Sequence, residues 1–241
     1  MKILKNLPNI LRRGRNGFTL AEVLVTLAVI GVVASLTIPA LIQNTNKQQY
    51  AVRAKTAFST ISQATSQLVA DNGGGLTGNC FNGEDDQQVF NCYKSKLQII
   101  KECGVDSGCF KNAEVKWLSG VSVPSYNIDG SHSLYKAILK NGISIAINDY
   151  AGDCISNSGT GQLNQTCAQI TIDVDGPNKG EHTWGRDIFS IILTSTGALP
   201  NGTCGYIDPS GDCNYALSCS PSADTGYGCL ARILKEGSMN Y

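Results

Sequence analysis

The feature that most constrains this chain is a mostly apolar run of 25 residues, FTLAEVLVTLAVIGVVASLTIPALI, whose only charged residue is one glutamate. The run extends from Phe18 to Ile42 and, as a helix, is long enough to cross the roughly 30 Å hydrocarbon core of a membrane. A charge within a membrane helix costs about 2.5 kcal/mol or more, so Glu22 requires a functional explanation. Pro39 is expected to kink or locally melt the helix.

Positive charge flanks the amino-terminal side of this run. Five Lys and Arg residues, and no acidic residue, precede Gly17. By the positive-inside rule that side stays in the cytoplasm and the body of the chain is exported, which predicts a single-pass protein of the cytoplasmic membrane. A secretory signal would be shorter and end at a small-x-small site; Val32-Val33-Ala34 offers one, but the apolar run continues past it.

The cysteines indicate an oxidising compartment. All ten lie beyond the apolar run, and their even number predicts up to five disulfides whose pairing the sequence leaves open. Zinc is the alternative, although no Cys-x-x-Cys pair occurs. The ten are Cys80, Cys92, Cys103, Cys109, Cys154, Cys167, Cys204, Cys213, Cys219 and Cys229.

The charge balance argues against a nucleic-acid partner. The chain has 19 basic and 19 acidic residues, and removing the five basic residues before Gly17 leaves 14 against 19, a net charge of −5. A mildly acidic exported body is poorly suited to bind nucleic acid by neutralising phosphates.

The amino-terminal segment has a recognisable order of parts. A basic leader is followed by landmark residues at fixed positions: Gly17, Phe18, Thr19, Leu20, Glu22 and Pro39. Residues 12–42 resemble the amino-terminal signature of type IV prepilins and type II secretion pseudopilins. The resemblance rests on Gly then Phe at the boundary, Glu as the fifth residue beyond it and Pro as the twenty-second.

The resemblance implies how this segment is used. A prepilin peptidase would cut between Gly17 and Phe18 on the cytoplasmic face, and the new amine of Phe18 would be methylated. The helix would hold the subunit in the membrane until an inner-membrane assembly platform passes it to a filament. There Glu22 would pair with Phe18 of a neighbouring copy. Alternatively, Glu22 stays near the cytoplasmic interface and interacts with water and the helix dipole.

The exported body begins with an amphipathic continuation of the helix. Apolar positions recur at helical spacing, and the glycine run after Asn72 should end the helix. The residues on this face are Ala54, Phe58, Ile61, Thr65 and Leu68. Beyond the helix, residues 87–103 and 109–118 are each expected to form a short helix. Both lie in an excursion, the segment of residues 76–133 between the helix and the predicted sheet, which disulfides are expected to hold in place.

Strand patterns follow the excursion. SLYKAILKNGISIAIND predicts a hairpin around Asn141-Gly142, the dipeptide that best fits a type I′ turn. The stretch AQITIDVDG predicts a strand whose alternation places Ile170, Ile172 and Val174 on the face toward the core and Thr171, Asp173 and Asp175 on the outward face. The stretch RDIFSIILTSTG predicts another apolar strand. A long helix packed on an antiparallel sheet is an α+β fold, and it is also the pilin fold that the resemblance implies.

These patterns divide the chain into four parts. We predict a leader over residues 1–17, a membrane and assembly helix over 18–42, its amphipathic continuation over 43–72 and a globular domain over 73–241. The last part ends in a cysteine-rich region that resembles the disulfide-bounded carboxy-terminal region of pilins.

The loop DVDGPNKGEHTWGRD offers oxygen ligands for an ion. Its Asp173, Asp175, Asn178 and Asp187 suit Ca²⁺, although the spacing is not that of an EF-hand. Some pseudopilins bind calcium, and this stretch resembles loops of pseudopilin-like sequences. The alternative is a polar turn whose Asp and Asn side chains cap their own backbone.

Catalytic signatures are lacking in the sequence. His132 and His182, the two histidines, belong to no Ser/His/Asp or Cys/His pattern, and no phosphate-binding GxGxxG occurs. We therefore expect a structural subunit of a type II secretion or type IV pilus-like filament. The alternatives are a minor tip subunit acting as an adhesin or binding module, and an exported domain merely anchored by one helix. The sequence does not distinguish the filament systems.

Overall fold

Two units make up the structure, a computed structural model that describes residues 17–78, 80–83, 85–150, 152–203, 218–220 and 225–241. The first unit ends at Asn44, and the second comprises Thr45–Tyr241. Helix α1 (Leu20–Asp71) contributes to both and is helical through Pro39 in this single chain. The local melting expected at Pro39 is therefore not present in this single chain. A kink at Pro39 and the four-part division of the chain stay predictions.

A six-stranded antiparallel meander forms the centre of the second unit. The strands pair in chain order, so every neighbour in the sheet is also a neighbour in sequence. They are β1 (Ile99–Gly104), β2 (Tyr135–Leu139), β3 (Ser144–Asp149), β4 (Thr166–Asp173), β5 (Ile188–Thr194) and β6 (Gly197–Pro200). Helix α2 (Asp86–Lys94) precedes the sheet, a 3-10 turn (Gly161–Gln165) precedes β4, and helix α3 (Cys229–Glu236) follows β6.

The main core lies between α1 and one face of the sheet. The predicted helix face is confirmed: Ala54, Ile61, Thr65 and Leu68 are buried, and Phe58 packs against the core. The predicted inward strand residues join the same cluster, which contains Ile170, Ile172 and Val174. Together with the disulfides and the meander, this packing establishes the α+β fold.

The opposite sheet face is also covered, which the alternation alone did not indicate. Thr171 and Asp173 point away from α1 as predicted, yet they are 5% and 0% exposed. For Asp175 the prediction is wrong: it lies beyond the end of β4, and its carboxylate contacts Arg53 on α1. A second apolar cluster that includes Phe110, Ile128 and Trp184 packs on the opposite face. The strands therefore bury polar as well as apolar side chains.

Buried polar groups organise the excursion between β1 and β2. Lys136 is fully buried, and its Nζ donates to the carbonyls of Val105 (3.1 Å), Asp129 (2.9 Å) and Ser131 (2.5 Å). Burial lowers the pKa of Lys136. The Asp129 carboxylate accepts the N–H groups of Gly108, Cys109 and Phe110.

Three local predictions are wrong. Residues 87–103 form a helix only as far as Lys94, because 99–104 pair with β2 as strand β1. Residues 109–118 form no helix, since their backbone bonds to Asp129, Val123 and His182 instead. The hairpin has a three-residue loop, Lys140–Gly142, and not a two-residue type I′ turn: Gly142 alone has positive φ, and Asn141 accepts Ile143 N–H.

Eight cysteines form four disulfides, each closing a local loop. The pairs are Cys80–Cys92, Cys103–Cys109, Cys154–Cys167 and Cys219–Cys229. No described cysteine is free, so these eight cannot supply zinc thiolates. Cys204 and Cys213, which would complete a fifth pair, lie outside the described residues.

Three carboxylates meet at the start of α2. Asp85 caps the helix by accepting Gln87 N–H at 2.9 Å, and Asp86 Oδ1 accepts Asp149 N–H at 2.5 Å. Partial burial raises the pKa of Asp86 from its ordinary 3.8 to about 6, and the Asp149 and Asp85 carboxylates reinforce the rise. Between about pH 4 and pH 6, Asp86 therefore keeps its proton in the folded protein but has lost it in the unfolded chain.

We predict that this proton makes stability depend on pH. The folded form binds it more tightly, so the free energy of unfolding should fall by about 1–2 kcal/mol as pH rises from about 4 to about 6. Asp86→Asn keeps the acceptor for Asp149 N–H and should make the fall smaller by that amount. Chemical denaturation across this pH range measures it, with the exposed Glu114→Gln as control. A fall of equal size in wild type and Asp86→Asn would contradict the assignment.

Candidate functional site

The first unit presents an apolar surface that the single chain leaves uncovered. Every Phe, Leu, Ile and Val from Phe18 to Ile42 is exposed, from 43% at Val23 to 88% at Phe18. Within the described residues, α1 is the helix long and apolar enough to span a membrane. A continuous apolar surface of this kind requires lipid or other apolar helices around it.

Hydroxyl side chains in this segment are satisfied by the helix itself. Thr26 donates to the Val23 carbonyl at 2.9 Å, Ser35 to Val32 at 2.8 Å and Thr37 to Val33 at 2.9 Å. Their polar atoms therefore need no external partner, which makes them compatible with hydrocarbon surroundings.

Glu22 closes a capping box at the start of α1. Its Oε2 accepts the Thr19 N–H at 2.8 Å and the Thr19 hydroxyl at 2.9 Å, while Thr19 Oγ1 accepts Glu22 N–H at 3.2 Å. This reciprocal pattern satisfies donors that the first helical turn leaves open. The stretch TLAE carries the sequence signal for this capping box, Thr-x-x-Glu before an apolar run, which sequence reasoning missed.

The predicted cleavage point lies just outside this cap. Gly17 and Phe18 precede the helix in irregular, exposed backbone, and no atom of the described residues, apart from the chain neighbours, lies within 4 Å of a Cβ placed at Gly17. Residues 1–16 of the predicted leader lie outside the described residues. The structure thus brings Gly17, Phe18 and Glu22 together at the helix start.

A second group of predicted site residues lies in the loop between β4 and β5. Arg53 on α1 contacts both this loop and the hairpin loop: its Nη1 lies 3.1 Å from Asp175 Oδ1, and its Nη2 donates to the Asn141 carbonyl at 3.3 Å. Burial and the neighbouring Asp175 carboxylate raise the pKa of Tyr50. Sequence reasoning missed Arg53 and Tyr50, because their distance from the loop along the chain hides the contact.

The other acidic residues of the loop bind its own backbone. Asp173 Oδ1 accepts Asp175 N–H and Gly176 N–H, and both oxygens of Asp187 accept N–H groups, from His182 and Thr183 at 2.6 Å each. Burial raises the pKa of Asp173, and it raises the pKa of Asp187 to about 6.

His182 is buried beside this acidic pair. Its Nδ1 lies 3.8 Å from Asp173 Oδ2, and its φ of 58° is in the left-handed region. Within the described part of the chain, neither ring nitrogen of His182 has a hydrogen-bond partner.

The four predicted calcium ligands are only partly gathered. Oxygens of Asp175 and Asp187 both lie beside Gly180, and the Asp173 carboxylate acts electrostatically on Asp187, but Asn178 is exposed. No group of three or more His, Cys, Asp or Glu side chains among the described residues is placed to hold a metal. The hydrogen bonds favour the alternative, a turn that caps its own backbone, and calcium binding stays a prediction.

Gly180 is the tightest point of this loop. Its φ is +80°, and a Cβ there would lie 2.2 Å from Asp187 Oδ2 and 2.9 Å from Asp175 Oδ2. We predict that Gly180→Ala lowers the free energy of unfolding by about 3 kcal/mol, through backbone strain and crowding.

Gly120→Ala is the matched control, because Gly120 has a φ of +86° and, apart from its chain neighbours, no described atom lies within 4 Å of its Cβ position. It should show only the backbone strain, about 1 kcal/mol. Denaturant unfolding of both variants measures the difference; equal losses would contradict the crowding.

Comparison with known proteins identifies the amino-terminal segment. No curated protein and no solved structure matches the chain. Residues 12–38 match the family model of the prokaryotic N-terminal methylation motif. The match covers the residues in which Gly17, Phe18 and the capping box of Glu22 lie. The chain therefore carries the prepilin-type signature of proteins processed and methylated at this position.

Proposed function

We propose that this chain is a structural subunit of a type IV pilus-like or type II secretion filament. Prepilin peptidase removes residues 1–17 on the cytoplasmic face, Phe18 becomes the methylated amino terminus, and α1 anchors the subunit in the membrane with its body exported. The subunit then leaves the membrane and packs its apolar helix segment against those of other pilins. The prepilin-type signature at residues 12–38 carries this proposal.

The uncovered apolar surface of α1 supports both stages. Exposed side chains from Phe18 to Ile42 suit lipid before assembly and neighbouring helices afterwards. Five basic residues before Gly17 favour a cytoplasmic amino terminus. The basic residues and the length of the apolar segment would also suit an exported domain that is merely anchored by one helix. A methylated amino terminus and a contact between subunits in a filament are what distinguish the proposed subunit from such an anchored domain.

The geometry at Glu22 suits a contact between subunits. Both of its hydrogen bonds to Thr19 use Oε2, so Oε1 can accept from another group. In the proposed filament that group is the amine of Phe18 of a neighbouring subunit. Pairing the two charges makes their burial among apolar helices tolerable. Within the single chain, the same carboxylate stabilises the helix start.

The processed terminus gives the first test. Intact-mass and peptide mass spectrometry of protein from its native membrane should show a chain that begins at Phe18 and carries one added methyl group. Gly17→Val should block cleavage, because a side chain at this position obstructs close approach to the backbone. A mature chain that keeps residues 1–17, or begins elsewhere, would refute processing at this bond.

Variants of the capping box give the second test. Glu22→Ala should leave cleavage intact but abolish filaments. Glu22→Gln keeps an acceptor for Thr19 N–H but not the charge, so it should also fail. Thr19→Ala keeps the charge and weakens the helix start by about 1 kcal/mol, so it should still assemble.

Electron microscopy and shearing of surface filaments give the readout, with immunoblots to confirm equal levels of processed subunit. Normal filaments from Glu22→Gln would refute the charge pairing. If Thr19→Ala lost its filaments while Glu22→Gln kept them, the role of Glu22 would be helix capping and not charge pairing.

A further inference from the structure

We propose that the exported unit binds a neutral saccharide, through one pyranose ring, in a cleft on the sheet face that turns away from α1. The cleft has a volume of about 270 Å³ and lies over β3 and β4. Its walls include three tyrosines, Tyr126, Tyr150 and Tyr227, and its floor includes Asn148, Gln169 and Asn201. This binding goes beyond the filament role and does not depend on it.

Asn201, which lines this cleft, carries a buried acceptor that has no partner among the described residues. Asn201 is 3% exposed and is held by several bonds: its N–H donates to the Ser190 carbonyl, its Nδ2 donates to Ser190 Oγ at 2.7 Å and its carbonyl accepts Ala231 N–H. No donor among the described residues reaches its Oδ1. A buried unsatisfied acceptor is unfavourable, so this atom requires a donor from water or a ligand.

The polar row beside Asn201 is preorganised. Asn148 and Gln169 face each other across β3 and β4, and Thr171 faces Ser190 across β4 and β5. Tyr150 donates its hydroxyl hydrogen to Gln169 Oε1, and Gln169 Nε2 donates to Thr171 Oγ1 at 3.5 Å. The amides and hydroxyls on one rigid sheet face provide both donors and acceptors, as vicinal sugar hydroxyls require.

The aromatic walls are also fixed in place. The ring of Tyr227 lies 4.6 Å from that of Trp184 and 5.3 Å from that of Trp117, centroid to centroid. Aromatic faces carry partial negative charge and attract the polarised C–H groups of a sugar ring. Tyr150 remains 39% exposed at the rim, where a ligand can approach it.

Charge and position disfavour the main competing ligands. Every described residue that lines the cleft is uncharged, so these residues offer no ion pair to a phosphate, a carboxylate or an amine. Extended peptides typically add to a free sheet edge, whereas this cleft lies on the face of the two central strands. Its volume falls below the usual range of about 300–1,000 Å³ for drug-sized ligands, which suits one ring.

Saturation-transfer NMR on the full mature chain tests this inference. The protein is kept in a phosphocholine detergent, which carries no sugar, and the probes are the methyl glycosides of glucose, galactose, mannose and N-acetylglucosamine. At least one should give transfer at millimolar concentration, while glycerol should give none. No transfer from any of the four, or equal transfer to glycerol, would overturn the proposal.

Variants locate the binding. Tyr150→Ala and Gln169→Ala should each weaken binding at least tenfold, and Tyr150→Phe should retain most of it because the ring remains. Gln87→Ala, an exposed glutamine in a different cleft, is the matched control. Unchanged binding in both cleft variants, with their thermal unfolding equal to wild type, would refute the site. Because the protein is unassembled in detergent, the result is independent of filament formation.

Discussion

The packing of α1 on the sheet is the interaction on which the rest of the exported unit depends. Ala51, Ala54, Ala57 and Ala64 put small side chains on the buried helix face, and Ile61 and Leu68 fill the space between them. Small side chains allow the helix backbone to lie close to the isoleucine-rich sheet face. Because each strand pairs with the next strand along the chain, this face forms without the long crossover connections that parallel strands require.

Buried polar groups perform a different task on the opposite face. Lys136 and Asp129 draw the excursion after β1 over the sheet by bonding backbone groups that have no strand or helix partner. Asp173 and Asp187 do the same for the loop before β5. Irregular segments can be buried only if their backbone groups are satisfied, and these side chains supply the partners. The four disulfides then fix local loops and not distant elements.

In the proposed function the two units of the chain have different roles. The first contains the prepilin-type signature, the exposed apolar surface and Glu22, which serve membrane anchoring and assembly in that proposal. The second places its polar cleft on a rigid sheet face, where loops can change without altering the helix. In the proposed filament, Glu22 has successive roles, since one oxygen caps its own helix and the other can reach a neighbour.

The sequence by itself determined the features that depend on local order: the prepilin-type signature, the apolar run, the amphipathic face ending before the glycines and the alternation in β4. It did not determine β1, the irregular path of 109–118 or the hairpin loop, because pairing with β2 and bonds to Asp129 override local propensity there. Nor did it reveal Arg53 beside Asp175 or Asn201 at the cleft. Only the tertiary structure decided these, since they join residues far apart in sequence through burial and hydrogen bonding.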